Sequence, residues 1–289
     1  MTDTETWHKH ATQSLNMQAF LNGRFIPEAQ AVVPISDRGF LYGDGLFETL
    51  RVGNGRPLWW NRHAERLQQG AAFLNLTLPW PPEKLRDFAS KLIQQNALPE
   101  SVLRITLTRG SGSRGYSPMD ANNPTLAMTL HPLPPPASSL RLATASLRVP
   151  ANDSLANLKT ANKLLAVLAR VEAEARGVDE ALLLNNEGNV AEAAASNLFW
   201  LADGAVCTPP IADGALAGVT RQVVLEICRA RNIPVREVHV RPEDLRRADG
   251  VFLTNSVAGI VPASELDGFT LNQSPFVMEL QTALESAPT

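Results

Sequence analysis

Two lysines stand four residues apart in "ANLKTANKLLAVLARVEAEARG", Lys159 and Lys163, ahead of the most regular apolar repeat in the chain. Of 26 basic residues only five are lysine: Lys9, Lys84, Lys91, Lys159 and Lys163. A primary amine can lose its proton and form a Schiff base with a carbonyl, whereas a guanidinium stays charged. The ordinary alternative is a helix edge carrying solvated charge. Lys159 is expected one residue before the helix proper, at the amino-terminal mouth, where the helix dipole disfavours the charged amine. Lys163 is expected one turn further in, its stem lying along an apolar run.

Three other features invite the same question. In "GNVAEAAASNLFW", Glu192 is the only charge among alanines and strand-formers. Burial of such a carboxylate costs several kcal/mol, of the order of ~3, unless a cation meets it. That cation is either a neighbouring arginine or a protonated ring nitrogen. Gly218-Val219-Thr220 opens a helix, so backbone N–H groups and a hydroxyl converge either on an anion or on a plain Thr220 cap. "LTNSVAG", Leu253 to Gly259, is a second polar turn after an apolar strand. Arg66, in "HAERL", is either a cationic clamp for a phosphate or a surface arginine.

The elements that must position these groups read in two parts. "AFLNGRFI" and "LFETLRVGNGRPLWW" are strand pairs around Asn-Gly turns. Amphipathic helices follow over Asn61 to Leu76 and Pro81 to Asn96, then strands "SVLRITLTRG" and "TLAMTLH". The proline-rich "HPLPPPASS" ends regular structure and marks a boundary. Beyond it come a strand "LRLATASLRVP", a helix from Thr160 closed by Gly177, and buried strands "EALLLN" and "SNLFWL". A helix "GVTRQVVLEICRARN", strands "PVREVHV" and "GVFLTNS", and an amphipathic "SPFVMELQTALES" complete the chain. The expected class is α/β or mixed α+β in two lobes. Its segments are an amino-terminal flexible extension (1–16), a small α/β domain (17–132), a linker (133–139) and a large domain (140–289).

The 289 residues are ample for a core, and 44% hydrophobic and 19% charged residues argue for a globular chain. A net charge of −3 gives no footprint for nucleic acid or anionic membrane. Cys207 and Cys228 lack CxxC spacing and the histidines are scattered, so reduced thiols, no metal site and a cytoplasmic protein are expected. No apolar run reaches about 18 residues, and the amino end lacks a signal-peptide core.

An amine for an aldehyde, an acid for a ring nitrogen and an anion cradle together suit pyridoxal 5′-phosphate. From about Met17 to Gly268 the chain resembles the class IV aminotransferases, the fold-type IV pyridoxal-phosphate group. The marks are "SDRGFLYGDGLFET", "HAERL", "LKTANKLL", "EALLLNNEGNVAEAAASNLFW", "AGVTR" and "VFLTNSVAGIVPA". The resemblance implies a small α/β lobe and a larger lobe with the cofactor between them, usually in homodimers. It makes Lys159 the Schiff-base lysine and sets Glu192 at the pyridine nitrogen. Arg66, Val219 and Thr220 go to the phosphate, with Asn255 and Ser256 where the family places further phosphate donors.

Within that group the stretch "TRGSGSRGYSP", Thr108 to Pro118, discriminates. Arg114 and Tyr116 offer donors for a substrate carboxylate, or the stretch is a solvated turn. It looks most like the aminodeoxychorismate lyases, where "RGSGGRGYS"-type loops are typical. The D-amino acid enzymes carry an arginine and a histidine here and a tyrosine from the "GDG" strand; this chain has Arg114, Tyr116 and Phe47. Branched-chain enzymes generally lack the arginine loop. The resemblance therefore implies a lyase converting 4-amino-4-deoxychorismate to 4-aminobenzoate and pyruvate, with Arg114, Tyr116 and Thr49 in the substrate pocket. The alternative is a class IV transaminase acting on D-amino acids, branched-chain amino acids or (R)-amines. A non-enzymatic relative fits less well, because lysine and glutamate are both present.

Overall fold

The computed structural model describes residues 17–289, so the extension read over residues 1–16 lies outside the described residues. The described chain forms two units, residues 17–134 with Lys159–Asn162, and Pro135–Leu158 with Lys163–Pro288.

The first unit opens on a hairpin of β1 (Gln18–Leu21) and β2 (Arg24–Pro27). Its two-residue turn, Asn22 at φ 47° and Gly23 at φ 89°, matches the twist of the strands it joins. After a short helix α1 (Arg38–Tyr42), β3 (Gly45–Gly53) and β4 (Arg56–Pro57) form a second hairpin through Asn54 and Gly55. Helices α2 (Trp60–Phe73) and α3 (Pro82–Asn96) precede β5 (Ser101–Thr108) and β6 (Thr125–Pro132). The sheet runs β2-β1-β6-β5-β3-β4, antiparallel throughout. Alternation sorts its faces: Leu46, Leu50, Leu103, Ile105 and Leu107 are buried on the side that receives α2 and α3. Thr49, Arg104 and Thr106, on the opposite face, are only half-buried.

The second unit holds β7 (Leu140–Val149), α4 (Leu164–Ala175), β8 (Glu180–Asn185), β9 (Val190–Ala193), β10 (Asn197–Ala202) and β11 (Ala205–Thr208). Then follow α5 (Val219–Ala230), β12 (Val235–Glu237), α6 (Pro242–Leu245), β13 (Gly250–Asn255), β14 (Gly259–Leu266), β15 (Phe269–Thr270) and α7 (Pro275–Glu285). Its mixed sheet runs β12-β11-β10-β13-β14-β7-β8-β9, with β15 on β14. Parallel pairs occur at β11-β12, β14-β7 and β7-β8. The mixed α/β class is as expected. No helix among the described residues is long and apolar enough to cross a membrane.

One helix departs from expectation. The sequence pattern starts it at Thr160, but α4 begins at Leu164 with Lys163 as its N-cap residue. The backbone before it is already committed to β3. Phe47 N–H donates to the Lys159 carbonyl at 2.9 Å, Ala161 N–H donates to the Gly45 carbonyl at 2.8 Å, and Thr160 bridges Leu46. Groups spent on a strand are not available to an i→i−4 helix ladder. Lys159 therefore sits five residues ahead of the helix rather than at its mouth, and Lys163 lies at its very start rather than a turn inside.

Candidate active site

Lys159 is placed by that strand contact. Its Nζ lies 4.6 Å from the centroid of the Phe47 ring. Phe47 is buried on the face of the sheet opposite α2 and α3, and Arg104 stacks its guanidinium carbon 4.0 Å from the same ring. Burial lowers the pKa of Arg104 from its ordinary value. Thr49, two residues along β3, is half-buried and opposes Arg104 across the strand pair. Sequence reading passed over Arg104; its signal is an arginine at an alternating position of an otherwise apolar strand.

Arg66 is not a solvated surface group. Its Nε donates to Glu48 Oε1 at 2.8 Å and its Nη2 to Glu48 Oε2 at 2.7 Å, a two-pronged pair. Glu48 is 1% exposed, on the core face of β3, and its Oε2 also meets His63 Nδ1 at 2.6 Å. Burial pushes the Glu48 carboxyl up, but the hydrogen bonds and charges of Arg66 and His63 outweigh it and bring it to about 2. Burial together with the charges of Arg66 and Lys159 lowers the His63 pKa against the pull of Glu48. Glu48 and His63 were missed in the sequence, although an acid between Leu46 and Leu50 on an alternating strand is a legible warning.

In the second unit, Glu192 lies on β9, half-buried rather than buried as expected. Its Oε2 accepts from Asn197 Nδ2 at 3.1 Å and from the Leu216 N–H at 3.0 Å. Asn197 donates also to the Leu216 carbonyl at 2.8 Å, so one amide ties the carboxylate to the turn before α5. Gly218 is required there, since a Cβ on it would stand 2.0 Å from Asn197 Oδ1. It is also the N-cap residue of α5, with no side-chain cap, so Thr220 is not the cap but the second helical residue. Thr220 is 1% exposed and its Oγ1 lies 3.4 Å from Ser256 Oγ. Beside these hydroxyls, the first N–H groups of α5 have no partner within the helix. Asn255 is committed to its own turn: Oδ1 accepts from the Val257 and Ala258 N–H groups, and Nδ2 donates to Ser196 Oγ at 3.0 Å. It shapes the turn that presents Ser256.

Arg114 and Tyr116 lie in the segment between β5 and β6, and both are exposed, Tyr116 at 87%. The segment is held from beneath by Arg38, another residue the sequence reading left out. The structure thus brings Lys159 and Arg104 each to the Phe47 ring, Arg66 to Glu48, Thr220 to Ser256, and Glu192 to the start of α5.

The donor chemistry fits a phosphorylated pyridine aldehyde. The first unit carries a primary amine on an aromatic platform and an anchored arginine. The second carries a carboxylate oriented by two donors and a helix start lined with hydroxyls.

Comparison with known proteins agrees. The family model for amino-transferase class IV matches residues 45–266. The chain is 36% identical over 259 residues to a putative branched-chain-amino-acid aminotransferase of Methanocaldococcus jannaschii, covering 89% of this chain and 90% of that one. It is 30% identical over 256 residues to a D-alanine aminotransferase of Listeria monocytogenes, covering 87% and 88%. Among solved structures, a putative 4-amino-4-deoxychorismate lyase of Legionella pneumophila superposes with a TM-score of 0.85 at 30% identity, covering 89% and 96%. The chain belongs to the class IV aminotransferases, a family of enzymes that use pyridoxal 5′-phosphate.

Proposed function

We propose that the protein is a pyridoxal-phosphate-dependent lyase that converts 4-amino-4-deoxychorismate to 4-aminobenzoate and pyruvate in the cytoplasm. The observation that carries the reading is the segment Thr108 to Pro118, whose glycine spacing and Arg114-Gly115-Tyr116 core resemble those of such lyases. The Legionella neighbour supports it.

When bound, the cofactor supplies an electron-poor ring conjugated to the substrate amine. Lys159 would hold the cofactor through its aldehyde group, and its amine, once free, would take the proton from the ring carbon that bears the substrate amine. Glu192 keeps a proton on the pyridine nitrogen. Arg66, the N–H groups of Val219 and Thr220, and the hydroxyls of Thr220 and Ser256 hold the phosphate, with Asn255 shaping the turn. Arg114 binds a substrate carboxylate, and Tyr116 and Thr49 line the pocket. The bond from the ring carbon to the enolpyruvyl oxygen breaks as the ring becomes aromatic, and Lys159 returns the proton to the methylene carbon of the departing enolpyruvate, giving pyruvate.

A homodimer belongs to the same reading. It is supported by the exposed apolar stripe Leu164, Val167, Leu168 and Val171 along α4, at i, i+3, i+4 and i+7. Light scattering on the eluting protein tests it, and a monomer at micromolar concentration would remove it.

The deciding assay incubates the holoenzyme with 4-amino-4-deoxychorismate and no keto acid. Equal amounts of 4-aminobenzoate and pyruvate are expected. The second reading, a class IV transaminase, draws on the identity with the Methanocaldococcus relative. It requires a keto acid acceptor and yields no 4-aminobenzoate.

A further inference from the structure

We propose that Arg38 is a positioning residue for substrate recognition, holding the segment between β5 and β6 in the shape that presents Arg114 and Tyr116. The inference rests on the reading of that segment as the one that meets the substrate. Residues 113 to 120 are exposed except for half-buried Gly115, and a glycine- and serine-rich stretch of this kind has little packing of its own. Yet three consecutive carbonyls converge on one guanidinium. Arg38 Nη1 donates to the Gly115 carbonyl at 2.8 Å and the Ser117 carbonyl at 3.3 Å, and Nη2 donates to the Tyr116 carbonyl at 2.9 Å.

Arg38 is itself 4% exposed, and its charge is answered locally. Its Nε donates to Asp44 Oδ2 at 2.9 Å, and Arg109 donates to the same carboxylate at 2.8 Å. The ring of Tyr42 lies beneath the guanidinium at 4.9 Å, 5.6 Å from the Tyr116 ring, and its hydroxyl accepts the Gly115 N–H at 3.3 Å. The neighbouring residue fixes the other end of the segment. Asp37, fully buried, accepts from the Thr108 hydroxyl at 2.9 Å and the Thr125 hydroxyl at 2.7 Å, where β5 ends and β6 begins.

Two consecutive side chains therefore hold the base and the crown of one segment. Only a planar fork can serve three carbonyls and a carboxylate at once, so lysine is no substitute. Arg114 precedes the first of those carbonyls, and its backbone is set by the bond that Arg38 makes to Gly115.

The test compares Arg38→Lys with Arg114→Ala in the holoenzyme. Amide hydrogen exchange on Arg38→Lys is expected to rise in residues 112–118 alone, with the melting temperature near that of the parent. KM for 4-amino-4-deoxychorismate is expected to rise about tenfold or more while kcat changes far less, because binding geometry and not chemistry is disturbed. If Arg38→Lys does not fold, Tyr42→Phe, which removes only the acceptor for Gly115, takes its place with a smaller change in the same direction. Unchanged exchange in these residues overturns the proposal whatever the substrate. A normal KM in Arg38→Lys beside a raised KM in Arg114→Ala overturns it too. A normal KM in Arg114→Ala instead removes the reading of the segment, and the exchange result then decides the role of Arg38 by itself.

Discussion

Lys159 is tied to Phe47 twice, by the Phe47 N–H on its carbonyl at 2.9 Å and by the Phe47 ring 4.6 Å from its Nζ. A residue anchored at both backbone and side chain holds its amine in one place, which is what carbonyl addition needs. Borohydride reduction of the holoenzyme followed by peptide mapping is expected to find the pyridoxyl mass on Lys159. Lys163, the N-cap residue of α4, should be unmodified. A pyridoxyl group on Lys163 would refute the assignment.

Glu192→Gln should bind cofactor through the phosphate cradle and lose rate, by about two orders of magnitude or more, because the neutral amide no longer keeps the ring nitrogen protonated. Single-turnover absorbance at saturating cofactor measures this. Gly218→Ala should lower the rate in the same direction, since its Cβ would displace the Asn197 amide that orients Glu192. Turnover of Glu192→Gln near the parent rate would make the residue structural.

The Glu48 cluster has a pH signature. The folded-state pKa of Glu48 is depressed to about 2, so its contribution is present above the unfolded value of 4.5 and is lost as pH falls toward 2. The shift corresponds to roughly 3 kcal/mol as an order of magnitude. His63 is also depressed, so it favours the folded state above its ordinary value of 6.5 and weakens it as pH falls below that. Urea midpoints should therefore decline in two steps on acidification, and Glu48→Gln should shrink the lower one. The Asp44 carboxylate, also depressed, against its burial, by Arg109 and Arg38, contributes to that step as well. That variant should also weaken cofactor binding, about tenfold or more, by releasing Arg66 from its two-pronged pair. A lower step of unchanged size in Glu48→Gln would place its origin elsewhere.

Arg114→Ala separates the two activities. A charge-assisted bond to a carboxylate is worth roughly 1.5–3 kcal/mol, so kcat/KM for 4-amino-4-deoxychorismate should fall about 10- to 150-fold. The cofactor absorbance should be unchanged, because Arg114 is assigned to substrate alone. Steady conversion of the parent enzyme to pyridoxamine phosphate by D-alanine or L-leucine, with no 4-aminobenzoate formed, would move the protein to the transaminases.

Much of this protein was legible before any coordinates, and what was legible is local. The scarcity of lysine drew attention to Lys159 and Lys163 together, and Asn22-Gly23 and Asn54-Gly55 announced their hairpins because only such pairs adopt left-handed backbone cheaply. The apolar run Glu180–Asn185 and the helix opening at Val219 stood where periodicity set them. What misled or stayed hidden depended on partners far along the chain. The start of α4 is decided by Gly45 and Phe47, more than a hundred residues earlier, which claim the backbone at Lys159 and Ala161. Glu48 is tolerable in a core only because α2 brings His63 and Arg66 back across it, and Arg38 matters only because a segment some 77 residues later folds its carbonyls onto it. Helix and turn preferences are written in neighbouring residues, whereas the partner of a buried charge or of a backbone hydrogen bond is chosen by the tertiary fold.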